Sequence, residues 1–293
     1  MLRTVARYLS STTRKRDVAP SSTVIHYTSS FMNSMAIPQD VREFIDEYPD
    51  IGDDPEASEN LDFYSNILRC RPDNRLIDEI HEQWFGDFRS LEYKHGFIQW
   101  LFPIREYGMN WESQPLQPHE IEAMKANVTV MKRIVGSYEL MLDFYGMRLV
   151  SGETGLLSRA LPPGNYEARY RNLVTSSHNY LRISRILKSL SELGLEHLNA
   201  GFLLHVLNEQ SESNELYARG LQTSMDRWWA NCLRNAEERS WIGNVIRQVR
   251  GGNFIFTREM YEKALQNRKQ VGMFGTLERR NSGRKEISDK IDR

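Results

Sequence analysis

Apolar residues recur every three or four positions along the middle of the chain, a spacing that places them on one side of an α-helix. The longest such stripe consists of Ile121, Met124, Val128, Met131, Val135, Tyr138, Leu142 and Tyr145. Pro118 suits the first turn of a helix, where its missing N–H is not needed, and Gly146 suits the end. The pattern predicts one long helix over residues 118–145.

Shorter stripes of the same period precede and follow this helix. They predict further helices over residues 61–68, 77–84, 177–193, 202–207 and 216–249. No stretch alternates convincingly between apolar and polar residues, and residues 152–164, with three glycines and two prolines, read as a surface loop. The sequence therefore predicts an all-α fold in which residues 56–252 form a single compact multi-helix domain.

The two ends of the chain differ from this domain in composition. Residues 1–55 are predicted to be a disordered N-terminal region, first basic and then acidic, with a short acidic helix near Gln39–Tyr48. Residues 253–293 are predicted to contain a short helix and a disordered basic tail. Because the formal net charge is −1, the whole chain has no general attraction for nucleic acid or anionic membrane.

Residues 1–16 are rich in arginine and hydroxyl groups and contain no acid, and three interpretations stay open for them. The composition is typical of a mitochondrial transit peptide. The cluster at residues 14–16 also resembles part of a nuclear import signal. A plain disordered tail fits equally well. No stretch is apolar over the roughly 20 residues that a transmembrane helix needs.

Motifs for catalysis or metal binding are not found in the sequence. The seven histidines form no close helical pair with a third ligand, and the two cysteines, Cys70 and Cys232, make neither a metal set nor a disulfide framework. Nucleophile-elbow, phosphate-loop and dinucleotide-binding patterns are also missing. We therefore expect no enzyme activity, no cofactor and no metal.

Arg182, Arg185 and Lys188 are the candidate ligand-binding residues. Their spacing places three cations along one edge of a helix whose other face is rich in leucine and isoleucine. An exposed edge of this kind can hold a carboxylate, which guanidinium groups contact through two parallel hydrogen bonds. A solvated face with local ion pairs is the alternative. Nucleic-acid binding is not expected, because Tyr180 is the one aromatic residue in this run.

Three blocks of sequence carry a family resemblance. They read HGFIQWLFP at residues 95–103, SYELMLDFYG at residues 137–146 and SHNYLRISRILKSL at residues 177–190. Pro103 should end the helix of the first block and leave Trp100 buried in the core. With these blocks in this order, residues 58–250 resemble the conserved domain of the opioid growth factor receptor family.

The resemblance implies a receptor, unrelated to the seven-helix opioid receptors, that binds the pentapeptide Met-enkephalin and slows cell proliferation. It implies location in the nucleus, around it and in the cytoplasm, peripheral contact with membranes, and protein partners such as nuclear import factors. The acidic, proline-containing repeats of the vertebrate receptor have no counterpart in these residues. Two alternatives are a helical protein–protein adaptor and an RNA-associated or mitochondrial factor that uses Arg182–Lys188 and residues 1–16.

Overall fold

The computed structural model describes residues 37–252 and 254–276, so the predictions for residues 1–16 and for the basic tail lie outside the described residues. Within these ranges the chain forms thirteen α-helices, one 3-10 helix and a two-stranded hairpin. The elements up to the hairpin are α1 Gln39–Ile45, α2 Glu59–Tyr64, α3 Ile77–Trp84, α4 Phe88–Tyr93, α5 Phe97–Leu101, α6 Pro118–Ala126, α7 Val128–Phe144, β1 Met147–Ser151 and β2 Leu156–Arg159. After it come α8 Tyr166–Thr175, α9 His178–Glu192, α10 Glu196–Ser211, α11 Arg219–Arg227, the 3-10 helix Trp229–Asn231, α12 Ala236–Arg250 and α13 Arg258–Val271. The predicted all-α class and the compact helical domain are confirmed.

Helix α10 is the centre of the core. Every residue from Leu198 to Gln210 is buried, and the helix contacts α9, α12, α13 and strand β2. A helix surrounded on all sides must be apolar around most of its circumference. His205 is a polar residue in this buried helix, and its Nε2 lies 3.0 Å from the Tyr170 hydroxyl. Burial lowers the pKa of its imidazole to about 3.

The predicted surface loop over residues 152–164 is in part wrong, because a hairpin occupies its first half. Strands β1 and β2 pair antiparallel, with Leu149 opposite Leu157. The tip of the hairpin packs directly on α10. A Cβ on Gly155 in the tip would overlap the backbone of α10, and a Cβ on Gly201 in α10 would overlap the backbone of the tip. Strands this short are stable only with such packing, and local alternation of residues could not predict it.

The single helix predicted over residues 118–145 is also wrong in one respect. Asn127 adopts a non-helical backbone and its side chain accepts hydrogen bonds from the amides of Thr129 and Val130 at 3.0 and 3.2 Å. It therefore caps α7 and separates it from α6. Val128, which the stripe had assigned to the core, is 69% exposed just after this break.

The prediction for Trp100 is confirmed. Helix α5 ends two residues before Pro103, and Trp100 is only 1% exposed. Its indole Nε1 donates to the carbonyl oxygen of Arg71 at 3.0 Å, so its one polar group is satisfied. The side chain serves core packing rather than contact with solvent.

The packed body extends beyond residues 56–252 on both sides. On the N-terminal side α1 buries Val41 and Phe44, and on the C-terminal side α13 buries Tyr261. The Tyr261 hydroxyl donates to the Gly201 carbonyl at 3.0 Å, which ties α13 to the central helix. None of the helices in the described ranges has the length and apolar character required to span a bilayer.

Candidate functional site

Of the three predicted ligand-binding cations on α9, the structure buries Arg182 and Lys188 and leaves Arg185 half-buried. Arg182 is 5% exposed, and its guanidinium donates to the carbonyl oxygens of Leu91 and Lys94, both at 2.7 Å. It also contacts His95 Nδ1 at 3.0 Å. Burial lowers the pKa of Arg182, although the nearby carbonyls solvate its charge. The guanidinium thus fixes the segment between α4 and α5 to α9.

The other two cations contact the chain just after α5, and Lys188 also contacts α1. Arg185 Nε donates to the Phe102 carbonyl at 2.8 Å. Lys188 is 3% exposed and lies between two carboxylates, with its ammonium 2.6 Å from Glu106 and 3.1 Å from Asp40. The expectation of an exposed cationic edge is therefore wrong, because residues 91–106 cover that side of α9. A ligand-binding role for these three residues stays a prediction, but their charges already have partners.

A cleft of about 670 Å³ lies elsewhere, at the C-terminal end of α7. It is bounded by the turn between α3 and α4, by α7, by strand β1 and by the loop that follows β2. Its lining residues are Phe85, Gly86, Phe88, Glu139, Asp143, Met147, Arg148, Leu149, Ala160, Leu161, Pro163 and Gly164. This volume falls within the range of small-molecule sites.

Two carboxylates on one face of α7 give the cleft its electrostatic character. Glu139 and Asp143 are four residues apart, and desolvation raises the pKa of each. Among the described residues, Asp143 Oδ2 is buried without a hydrogen-bond partner, while the backbone N–H of Gly86 and the Arg169 guanidinium oppose the rise of the Asp143 pKa. Asp143 also lies in the last turn of α7, where the helix dipole disfavours negative charge and favours a cation. A bound cation would relieve both costs.

Aromatic and aliphatic side chains form the rest of the wall. Phe85 and Leu161 are 58% and 61% exposed, which is unusual for large apolar residues that flank a cleft. Phe88 is held from behind by the Arg169 guanidinium, which lies 4.6 Å from its ring centroid. Arg148 on β1 supplies an exposed cation to the same cleft. The cleft thus combines an acid pair, an aromatic wall and a cation.

Sequence reasoning missed this site although one of its motifs was quoted. Glu139 and Asp143 lie within the SYELMLDFYG block, and their spacing of four was a detectable signal. The same spacing at Glu192 and Glu196 does not mark a cleft, since Glu192 is buried and paired with Arg234 at 2.8 Å. The described residues contain no group of histidine, cysteine, aspartate and glutamate side chains suited to a metal ion.

Comparison with known proteins gives a consistent family. The model of the opioid growth factor receptor conserved region matches residues 53–261. The opioid growth factor receptor of Homo sapiens is 42% identical over 207 residues, which cover 69% of this chain and 29% of that protein. For the receptor of Mus musculus the identity is 43% over 180 residues, with 61% of this chain and 28% of the relative covered.

A second group of relatives carries a related name. The opioid growth factor receptor-like protein 1 of Mus musculus is 36% identical over 203 residues, covering 69% of this chain and 42% of the relative. The aligned segments therefore account for less than half the length of each of these relatives. No solved structure matches the chain.

Proposed function

The chain belongs to the opioid growth factor receptor family, and from this premise we propose that it is a receptor for a short peptide of the Met-enkephalin type that restrains cell proliferation. The observation that carries the proposal is the cleft at the end of α7. It offers complementary groups for the three parts of such a ligand: an amino terminus, aromatic side chains and a carboxylate.

The peptide ammonium is assigned to Glu139 and Asp143. A free amine supplies three donors and a positive charge, which matches the exposed Glu139 carboxylate and the half-buried Asp143 carboxylate that line the cleft. Hydrogen bonds to charged groups contribute about 1.5–3 kcal/mol each when they are desolvated. The acid pair therefore supplies the main polar contribution to affinity.

Aromatic side chains of the peptide are assigned to Phe85 and Phe88, whose rings border the cleft. Offset or edge-to-face aromatic pairs add about 0.5–1.5 kcal/mol beyond the area they bury. Arg148 is the cation available for the peptide carboxylate. A fully extended pentapeptide is no longer than about 18 Å. Both of its ends can therefore lie in one small cleft, or one end can lie at the rim of the cleft.

Isothermal titration of the unaltered protein with chemically modified peptides tests the proposal. Met-enkephalin should bind, its N-acetylated form should bind at least tenfold more weakly, and its C-terminal amide should lose less than the acetylated form. A pentapeptide of the same composition in scrambled order is the control for nonspecific binding. If Met-enkephalin itself fails to bind, peptide reception is wrong; if acetylation has no effect, the ligand lies outside the acid pair.

A helical protein–protein adaptor is the second candidate, and one loop favours it. Tyr107, Met109 and Trp111 are 86%, 95% and 86% exposed. Asn110 anchors the loop between them, since its amide donates to the carbonyls of Arg71 and Gly96 at 2.8 and 3.1 Å. Large apolar residues held outward in this way are typical of protein contacts. Loss of a partner from the Trp111→Ser variant, with peptide affinity unchanged, would establish this role.

Localisation to the nucleus and cytoplasm is part of the same proposal. It is tested by imaging the tagged full chain beside a form without residues 1–20. Retention of the nuclear pattern in both forms supports the proposal, whereas mitochondrial targeting that depends on those residues supports the transit-peptide alternative.

A further inference from the structure

The segment before the family-matched region is held by an unusual set of contacts. Residues 38–51, which we call the strap, contain α1 and the turn after it, while the family model matches from residue 53. Val41 and Phe44 are fully buried and Tyr48 is 2% exposed, at positions i, i+3 and i+7. Val41 and Phe44 lie on one face of α1, as in a short helix anchored in a groove, and Tyr48 follows in the turn after the helix.

The groove beneath the strap is cationic, and its charged side chains hold backbone oxygens. Lys188 Nζ donates to the carbonyl of Asp40 at 3.1 Å. Arg105 donates to the carbonyls of Glu47 and Ile51 at 2.9 and 2.8 Å. Arg234 Nε and Nη2 reach the Phe44 carbonyl at 3.4 Å. Contacts to carbonyls depend little on which side chains the occupant carries.

Side-chain contacts define which occupants fit. The Phe44 ring lies between two cations, 4.6 Å from the Arg234 guanidinium carbon and 5.9 Å from Lys188 Nζ. The Asp40 carboxylate is 3.1 Å from Lys188, and the Tyr48 hydroxyl donates to Glu106 at 2.7 Å. The groove thus selects an acid at the start of a helix, an aromatic residue one turn later and a hydroxyl at its end.

Charge complementarity extends over the whole strap. Its five acidic residues, Asp40, Glu43, Asp46, Glu47 and Asp50, are opposed within the segment by Arg42 alone. The groove presents three cations, Arg105, Lys188 and Arg234, and two acids, Glu106 and Glu192, the second of which pairs with Arg234 at 2.8 Å. All of these groove residues lie inside the family-matched region, and the strap lies before it.

The strap is suited to exchange with another segment. Helix α1 has seven residues, and a helix this short is not stable by itself in water. Glu47 and Tyr48 adopt left-handed backbone angles, with φ of 59° and 54°, which are costly for residues other than glycine and are maintained here by the groove contacts. An occupant of this kind is retained mainly because it is tethered to the same chain.

We propose that the groove formed by Arg105, Glu106, Lys188 and Arg234 is a docking site for an acidic amphipathic helix of a partner protein, in exchange with the chain's own α1. The partner helix carries an acid at its start, apolar residues three apart and an aromatic residue in the second of those positions. The site is distinct from the cleft at the end of α7 and does not depend on the peptide-receptor proposal.

Binding of a labelled peptide of residues 37–52 to the full chain tests the proposal. The unaltered chain should bind it weakly, because the tethered strap competes. The variant Val41→Ala/Phe44→Ala, altered in the strap and intact in the groove, should bind it at least tenfold more tightly in fluorescence anisotropy. Should this variant fail to fold by circular dichroism, Asp40→Asn, which leaves the apolar anchors in place, should still increase affinity about twofold to fivefold.

Two control peptides and two further measurements complete the test. A peptide with its acids replaced by lysine and one with Phe44→Ala should each bind at least tenfold more weakly than the parent. Excess parent peptide should increase deuterium uptake of residues 39–48 in the unaltered chain. Absence of binding to folded variants, or equal binding of the charge-reversed peptide, overturns the proposal. A strap-dependent dimer in size-exclusion chromatography overturns it in favour of a second copy as the occupant.

Discussion

Helices α7 and α9 both carry charged residues at regular helical spacing, but these residues lie in different surroundings. On α9, Arg182, Arg185 and Lys188 are covered and their charges are paired with carbonyls or carboxylates. On α7, Glu139 and Asp143 face a cleft with raised pKa values, and Asp143 Oδ2 has no partner among the described residues. The first set stabilises the fold, and the second lines the cleft that we propose as the ligand site.

The difference teaches that spacing alone does not separate structural charges from functional ones. Both sets repeat at three or four residues, which is the period of a helix face. Residues 91–106 wrap over α9 and supply acceptors to its cations, whereas the loop after β2 stops at the rim of the α7 cleft. The position of the carboxylates beside a cleft, rather than their spacing, marks the candidate site.

The largest expected effect is on stability and comes from Arg182→Gln. The change removes donors from the buried carbonyls of Leu91 and Lys94, and each unsatisfied group costs about 1–3 kcal/mol. We expect the free energy of unfolding in urea to fall by about 3–5 kcal/mol. Lys132→Gln, on the exposed surface of α7, is the control and should change it by less than about 0.5 kcal/mol. An unchanged urea midpoint for Arg182→Gln would show that Arg182 is not structural, and it would again be a candidate ligand-binding residue.

Asp143→Asn should have the opposite profile. Loss of the charge should weaken Met-enkephalin binding by about 1.5–3 kcal/mol, the range for a hydrogen bond to a charged group. Stability at neutral pH should stay the same or rise slightly, because the ionised carboxylate is desolvated in the folded protein. Glu122→Gln, an exposed acid on α6, is the matched control. Equal loss of affinity and stability would show that Asp143 is structural, as the α9 cations are.

The pH dependence of binding should report the same carboxylates. Because the folded-state pKa values of Glu139 and Asp143 are raised, these groups take up protons at a higher pH than ordinary carboxylates, which titrate near about 4. Binding of an ammonium group should therefore weaken as the pH falls from 7 to 5. Their contribution to folding runs the other way, since protonation removes the desolvation cost and stabilises the folded state at low pH. Titrations at three pH values check the first sign, and Glu139→Gln/Asp143→Asn should give a flat profile.

Phe85→Ala should give the smallest effect. The ring is 58% exposed, so its removal should change the free energy of unfolding by less than about 0.5 kcal/mol. Loss of an aromatic contact with the ammonium or a ring of the ligand should cost about 0.5–1 kcal/mol of affinity. Ile67→Ala, another exposed apolar side chain, provides the comparison. A marked loss of stability in Phe85→Ala would identify the ring as part of the core.

Local sequence predicted much of the fold and little of the site. The Pro103 break and the burial of Trp100 follow from adjacent residues, and both are observed. The break at Asn127 was missed because the apolar period continues across it, and the hairpin was missed because its stability comes from α10. Glu139 and Asp143 are visible as a pair four residues apart, but the cleft beside them is formed by the turn between α3 and α4 and by the loop after β2, which are distant in sequence.

What the sequence determined by itself is the helical class, the motifs of the family and most of the buried faces, since each of these depends on residues within one or two turns of one another. Only the tertiary structure decided which charges are covered. Arg182 meets its acceptor in Leu91, which is 91 residues away along the chain, and Lys188 meets Asp40 at a separation of 148. Helical periodicity is a local property, whereas the desolvation and pairing of a charge depend on whichever distant segment packs over it.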